Sequence, residues 1–263
     1  MLKKRLIPKL LIKHQEIGGK SRPILVTTRL FQDVIKVGDP VSQAKIYEAQ
    51  LADELIVLNI DSTAFGQDDM MLGLVERLAS ETFMPLTVGG GVRTVDDFGR
   101  LLESGADRVS VNAEALNTPE LITKAAYCYG AQCVVVSIDF RMDSSGQAFV
   151  TQDRAKTMTT LKVIDWAHEA VSLGAGELLL CDVDRDGTGK GLNWQIGKVV
   201  ASSVPVPVIL SGGCGLADHF VQGFLDGMAE GVAAGTFFCF RDQNPMQTRA
   251  HIRNAGVSIR LET

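Results

Sequence analysis

Residues 52–66, ADELIVLNIDSTAFG, align without a gap to residues 175–189, AGELLLCDVDRDGTG. Glu54 meets Glu177, Leu55 meets Leu178, Asp61 meets Asp184 and Gly66 meets Gly189, an offset of 123 residues in a chain of 263. The same offset carries Gly89-Gly90 onto Gly212-Gly213. A half-length repeat implies two like halves that bury their apolar surface against each other. A larger offset, 128, lays LIPKLLIK (6–13) on VVVSIDFR (134–141) and makes Leu11 the mate of Asp139.

The repeat sits in an alternating pattern. Apolar, β-branched runs at 5–12, 54–60, 85–88, 107–111, 132–139, 177–182, 206–210 and 230–234 predict strands. Helices are expected at 40–50, 69–80, 94–104, 117–129, 159–173, 193–202, 216–226 and 244–254. Strands apolar on both faces belong to a parallel sheet covered on both sides. Asp39-Pro40 and Thr118-Pro119 read as a capping side chain before a first-turn proline. Thr94 with Asp97 reads as a capping box. Eight βα units in one domain spanning 1–263 fit a (β/α)8 TIM barrel with pseudo-twofold half-barrel symmetry. An open doubly wound sheet is the alternative, but no GxGxxG follows the first strand. The segment 14–31 is left as a loop.

Composition narrows the function. With 46% hydrophobic and 22% charged residues, a sizeable core is expected. A net charge of −5 argues against nucleic acid as a partner. No apolar run approaches the roughly 18–20 residues of a membrane span, and Pro8, Lys9 and Lys13 break any signal-peptide core after MLKKRL. A cytoplasmic protein is expected. Five cysteines without a CxxC, and four histidines without ligand spacing, suggest neither disulfides nor a metal; the cysteines read as small buried side chains. DVDRDGTGKG (182–191) opens like a calcium loop but lacks the acidic twelfth position.

In such a barrel, chemistry belongs at the carboxyl ends of the strands. VGGGVRT (88–94) and SGGCG (211–215) follow strands and precede helices. Bare amides there suit phosphate, although tight βα turns need glycine too. Asn112 and Gly235-Thr236, after the next strands, can complete two anion cups. Two cups related by a twofold suggest an elongated substrate with a phosphate at each end. Asp139, at the end of the fifth strand, can shuttle protons, or act as a cap or an ion-pair partner of Arg141.

The motifs MLKKRLIP, GDPV, ADELIVL, PLTVGGGVRTV, GADRVSVN, NTPELIT, GAGELLL, DRDGTGKG, PVILSGG and VSIRLE span the chain. Together they resemble HisF, the cyclase subunit of imidazole glycerol phosphate synthase. The resemblance implies a HisH-type glutaminase partner, ammonia as nitrogen source, a bis-phosphorylated ribonucleotide that is cleaved and cyclised in histidine biosynthesis, and no metal or organic cofactor. It implies phosphate ligands at Gly91 and Asn112 in one half and Asp186, Gly187, Thr188, Gly213 and Thr236 in the other. It implies an ammonia gate of Arg5, Glu54, Arg108 and Glu177, although such ions could simply cap a polar barrel floor, and glutaminase docking at Asp107. The departures lie in the mouth. Where the family has Cys-Leu-Asp-Val this chain has Lys9-Leu10-Leu11-Ile12, so of the family's acid–base pair only Asp139 remains. Another family aspartate is Asn59 here, and Lys20 stands where a loop lysine is expected. Whether Lys9 or Lys20 replaces the missing acid stays open. Such losses fit an impaired cyclase, a HisF-like paralogue relaying ammonia to a sugar-amidating enzyme of surface polysaccharide synthesis, or a silent scaffold.

Overall fold

The structure is a computed structural model that describes residues 3–61, 69–240 and 243–260; the side chains of Ile17, Lys20 and Asp69 are outside it too. Repeat positions 62–66 and the suggested role of Lys20 therefore fall outside the described residues.

Eight parallel strands close a barrel: β1 (Arg5–Ile17), β4 (Leu55–Asn59), β5 (Leu86–Gly89), β6 (Arg108–Val111), β7 (Val134–Met142), β10 (Glu177–Asp182), β11 (Val208–Ser211) and β12 (Gly231–Ala234). β7 pairs with β10 and β12 with β1, which completes the ring. Helices α1 (Pro40–Ala49), α2 (Asp69–Glu81), α3 (Val95–Glu103), α4 (Ala113–Asn117), α5 (Glu120–Tyr129), α6 (Val163–Ser172), α7 (Trp194–Ala201), α8 (Ala217–Leu225), α9 (Thr236–Phe240) and α10 (Pro245–Asn254) follow the strands. The main core lies between strands and helices. A second, inner core fills the barrel with Ile7, Ile56, Val135, Leu179, Cys181, Ile209 and Ala233. The strands are buried on both faces, which is why they read as unbroken apolar runs.

The twofold is visible in the strand register. Leu11 lies opposite Leu58 on β4, and Asp139 lies opposite Cys181 on β10, so Leu11 and Asp139 occupy equivalent places. Matching ion pairs follow: Lys13 Nζ–Asp61 Oδ1 at 3.4 Å in one half, Arg141 Nε–Asp184 Oδ1 at 3.2 Å in the other. Arg141 thus pairs with Asp184 rather than with Asp139. The glycine pairs match in a different register from the one the sequence suggests. Gly90 (φ +91°) packs on Asn59, where a Cβ would come within 2.0 Å of its carbonyl oxygen. Gly212 (φ +92°) packs on Asp182 in the same way, at 2.5 Å. Gly90-Gly91 therefore matches Gly212-Gly213, one residue away from the ungapped alignment.

Among the described residues four strands lie beyond the barrel. After β1 the chain turns at Gly18-Gly19 into β2 (Lys20–Arg29) and then β3 (Asp33–Gly38). After β7 it forms β8 (Ala148–Gln152) and β9 (Thr157–Lys162). The segment 14–31 is thus largely strand, and 159–162 is strand rather than the start of a helix. The intervals differ: 47 residues separate Leu11 from Leu58 and 42 separate Asp139 from Cys181, which is why the repeat shows two offsets.

Caps mostly follow the sequence. Asp39 accepts from the Ser42 amide at 2.7 Å, and Thr94 and Asp97 form a reciprocal box. Thr118 does not cap α5. Its hydroxyl donates to Glu114 Oε1 at 2.8 Å and it closes α4, so the helix expected at 117–129 starts only at Glu120, after the separate short helix α4. Cys181 and Cys214 are buried, but Cys128 is exposed, against expectation.

Candidate functional site

The side chains of β1 alternate, and with Ile7 in the inner core, Arg5, Lys9 and Leu11 share its inward face. This period sorts the interior into a charged floor, an apolar middle and a polar mouth.

At the floor, Arg5 Nη1 meets Glu54 Oε2 at 2.8 Å, and its other nitrogen, Nη2, meets Glu177 Oε1. Arg108 Nη1 meets Glu54 Oε1 at 2.6 Å and Glu177 Oε2 at 3.9 Å. The Thr87 hydroxyl also donates to Glu54, at 2.9 Å. Two cations and two anions thus close a ring around the axis, and its carboxylates are almost fully buried. Burial opposes the Arg5 cation, yet Glu177 and Glu54 hold its pKa above the usual guanidinium value. Burial raises Glu177, with Arg5 opposing and Glu54 adding to the rise. Asp107 lies on the same face, exposed, where its carboxylate accepts the Leu86 amide at 2.8 Å. Asp53 does this for Leu6 and Glu230 for Val208, at 2.8 and 3.1 Å, so Asp107 belongs to a set of strand caps.

At the mouth, Asp139 Oδ2 accepts from Asn112 Nδ2 at 2.7 Å. The Asn112 side chain is thus turned onto the carboxylate and leaves the start of α4 uncapped. Burial pushes Asp139 up to about 6, with the Lys9 ammonium and Asn112 restraining the rise and Asp186 adding to it. A carboxyl titrating there can take or give a proton near neutral pH. Leu11, the mate of Asp139, is buried and lines the mouth cavity with Lys9, Asp186, Gly187, Gly213 and Thr236. No proton can pass through its side chain. Asn59 keeps a structural duty: its Oδ1 accepts from the Asp61 amide at 3.0 Å, as Asp182 does from Asp184.

The loop after β10 clasps the turn between β2 and β3. Asp186 Oδ2 accepts from the Thr28 hydroxyl at 2.6 Å, and its carbonyl accepts from the Leu30 amide at 2.9 Å. Gly187 (φ +66°) lies so close to Thr28 that a Cβ would come within 2.2 Å of its carbonyl oxygen. Phe31 packs from this turn onto the inner core. The Thr188 hydroxyl donates to the Arg185 carbonyl at 2.7 Å, and Gly213 accepts from the Gly191 amide at 2.8 Å. Asp182, Asp184 and Asp186 each serve different partners, which separates them as ligands; among the described residues no group of three or more His, Cys, Asp or Glu converges on a metal position.

Gly213, Thr236, Asp186 and Gly187 therefore share one cavity, and Asn112 meets Asp139 elsewhere in the mouth. Gly91 (φ +81°) follows the tight turn at Gly90. Sequence reasoning missed Ser211, which holds Lys9, and Thr28, which holds Asp186. Counting by twos from Arg5 marks Lys9 as inward, but no local signal marks Thr28. Among the described residues no helix is long and apolar enough to cross a membrane.

Comparison with known proteins agrees with this architecture. The family model described as "Histidine biosynthesis protein" matches residues 17–244. A protein of Prochlorococcus marinus (strain MIT 9313), provisionally named imidazole glycerol phosphate synthase subunit hisF2, is 48% identical over 262 residues, covering 100% of both chains. A closed parallel barrel built from two like halves, and matched along its length by such a relative, places this chain in the histidine biosynthesis protein family as a HisF-like member.

Proposed function

We propose that the chain is the ammonia-receiving subunit of an imidazole glycerol phosphate synthase-like glutamine amidotransferase complex. Its partner is a HisH-type glutaminase, docked on the face that carries Asp107. Ammonia enters through the ring of Arg5, Glu54, Arg108 and Glu177 and meets a bis-phosphorylated ribonucleotide at the mouth. The glycine turns before α3 and α8, with Asn112, Asp186, Gly187, Thr188 and Thr236, hold its two phosphates. Asp139 handles the proton that cleavage and cyclisation require, and neither metal nor organic cofactor takes part. The observation that carries this reading is the four-membered charge ring directly beneath an apolar barrel interior and a mouth with a carboxyl near neutral pKa.

One observation favours a second reading. Leu11 stands in the register of the second proton carrier, and general acid–base groups typically contribute about 10²–10⁴-fold. A barrel so altered would cyclise slowly, or would pass ammonia to a separate sugar-amidating enzyme of surface polysaccharide synthesis. The purified chain is assayed with ammonium salt and the bis-phosphorylated ribonucleotide. Slow turnover that Leu11→Asp raises about 100-fold or more supports the impaired cyclase. No turnover in either form, with the glutaminase still activated by the barrel, supports the relay. Fast turnover by the native chain refutes the assigned cost of Leu11.

A further inference from the structure

Lys9 is 6% exposed, yet among the described residues its ammonium forms no ion pair. Its hydrogen-bond partner there is the Ser211 hydroxyl, at 2.9 Å. An ammonium has three donors, so two are left facing a cavity lined by Gly212, Gly213, Gly235 and Thr236. A buried cation without a close ion-pair partner is costly, and proteins ordinarily neutralise or pair it. Burial favours the neutral amine, but the surrounding field holds the Lys9 pKa above its ordinary value. The carboxylates of Asp186 and Asp139 are among the groups that raise it. A charged amine is a poor nucleophile toward carbonyls but a good ligand for anions.

We propose that Lys9 is a direct ligand for a phosphate group seated against Gly213 and Thr236, giving this half of the mouth a full positive charge where its mate position, Ser137, has only a hydroxyl. The inference rests on the reading of the glycine turns as anion sites. Lys9 then favours a dianionic phosphate over neutral or singly charged groups of the same size, and it is a specificity residue of the second cup.

Inorganic phosphate is titrated into the full chain and into Lys9→Met by calorimetry. The native chain is expected to bind two phosphates. In Lys9→Met one site weakens by roughly tenfold to a hundredfold, the worth of a charge-assisted hydrogen bond, while the other is unchanged. Two sites of native affinity in Lys9→Met overturn the role of Lys9 and leave the anion-cup reading standing. No binding by the native chain overturns both. Should Lys9→Met not fold, crystals of the native chain grown in phosphate decide: an oxygen at roughly 3 Å from Lys9 Nζ supports the proposal, and a phosphate beyond about 5 Å, or none, refutes it.

Discussion

Replacing Arg5 with methionine keeps much of the side chain's bulk and removes one of the two cations from the barrel floor. Arg108 then still serves Glu54 at 2.6 Å, but its approach to Glu177 is only 3.9 Å. Glu177 is left as a buried carboxylate without a close partner. Breaking a buried pair in this way costs about 3–5 kcal/mol, most of it the cost of the orphaned charge. The cost has a pH signature. Glu177 is already raised by burial, and the loss of Arg5 raises it further. A raised carboxyl binds its proton more tightly in the folded state, so the stability it gives is full below the unfolded value and is lost as pH rises through the folded one. Arg5→Met should therefore be weakest at pH 8 and, once pH falls below the folded pKa of Glu177, recover by about 1.4 kcal/mol per pH unit until the carboxyl of the unfolded chain is protonated as well. Urea unfolding at pH 5, 6, 7 and 8 measures this against the native chain. Adding Glu177→Gln removes the orphan charge and should return most of the loss. A deficit under about 1 kcal/mol that is flat with pH, or a double variant weaker than the single, would refute the account.

Three further outcomes are expected. Asp139 titrates near 6 when folded against 3.8 for the ordinary side chain, so the stability its proton confers is present below about 4 and lost as pH rises through 6. Asp139→Asn removes that loss, and in paired urea melts the gap between variant and native chain should grow in the variant's favour from pH 4.5 to 7.5. Gly90→Ala places a Cβ 2.0 Å from the Asn59 carbonyl oxygen at φ +91°, and should lower stability by more than the roughly 1–3 kcal/mol of backbone strain alone. A thermal melt with an unchanged midpoint would contradict it. Thr28→Val removes the 2.6 Å donor to Asp186, a cost of about 1–3 kcal/mol, and amide exchange across 25–36 should quicken.

The barrel was readable because its strands are covered on both faces and its halves repeat. Every barrel strand lies within a few residues of its expected run. The hairpins were missed for a reason that lies in the chain. KSRPILVTTR contains a proline and leaves the barrel, so its pattern is that of a half-exposed strand and not a core run. Gly18-Gly19, both at positive φ, was the available hairpin signal between β1 and β2. TMTTLK is rich in β-branched threonine, which already favoured strand over helix at 157–162. In the mouth, Leu11 and Asp139 were found by alignment alone. The bond from Thr28 to Asp186 joins residues 158 apart in sequence, and no periodicity carries that.

A rim made from two copies of one motif has no intrinsic direction. Register takes that neutrality away in this chain: ammonium and hydrocarbon, Lys9 and Leu11, occupy one side, while hydroxyl and carboxylate, Ser137 and Asp139, occupy the other. Anything lying across the opening meets unlike ends. Two inward side chains in each half, on strands of matching register, give the duplicated scaffold its direction.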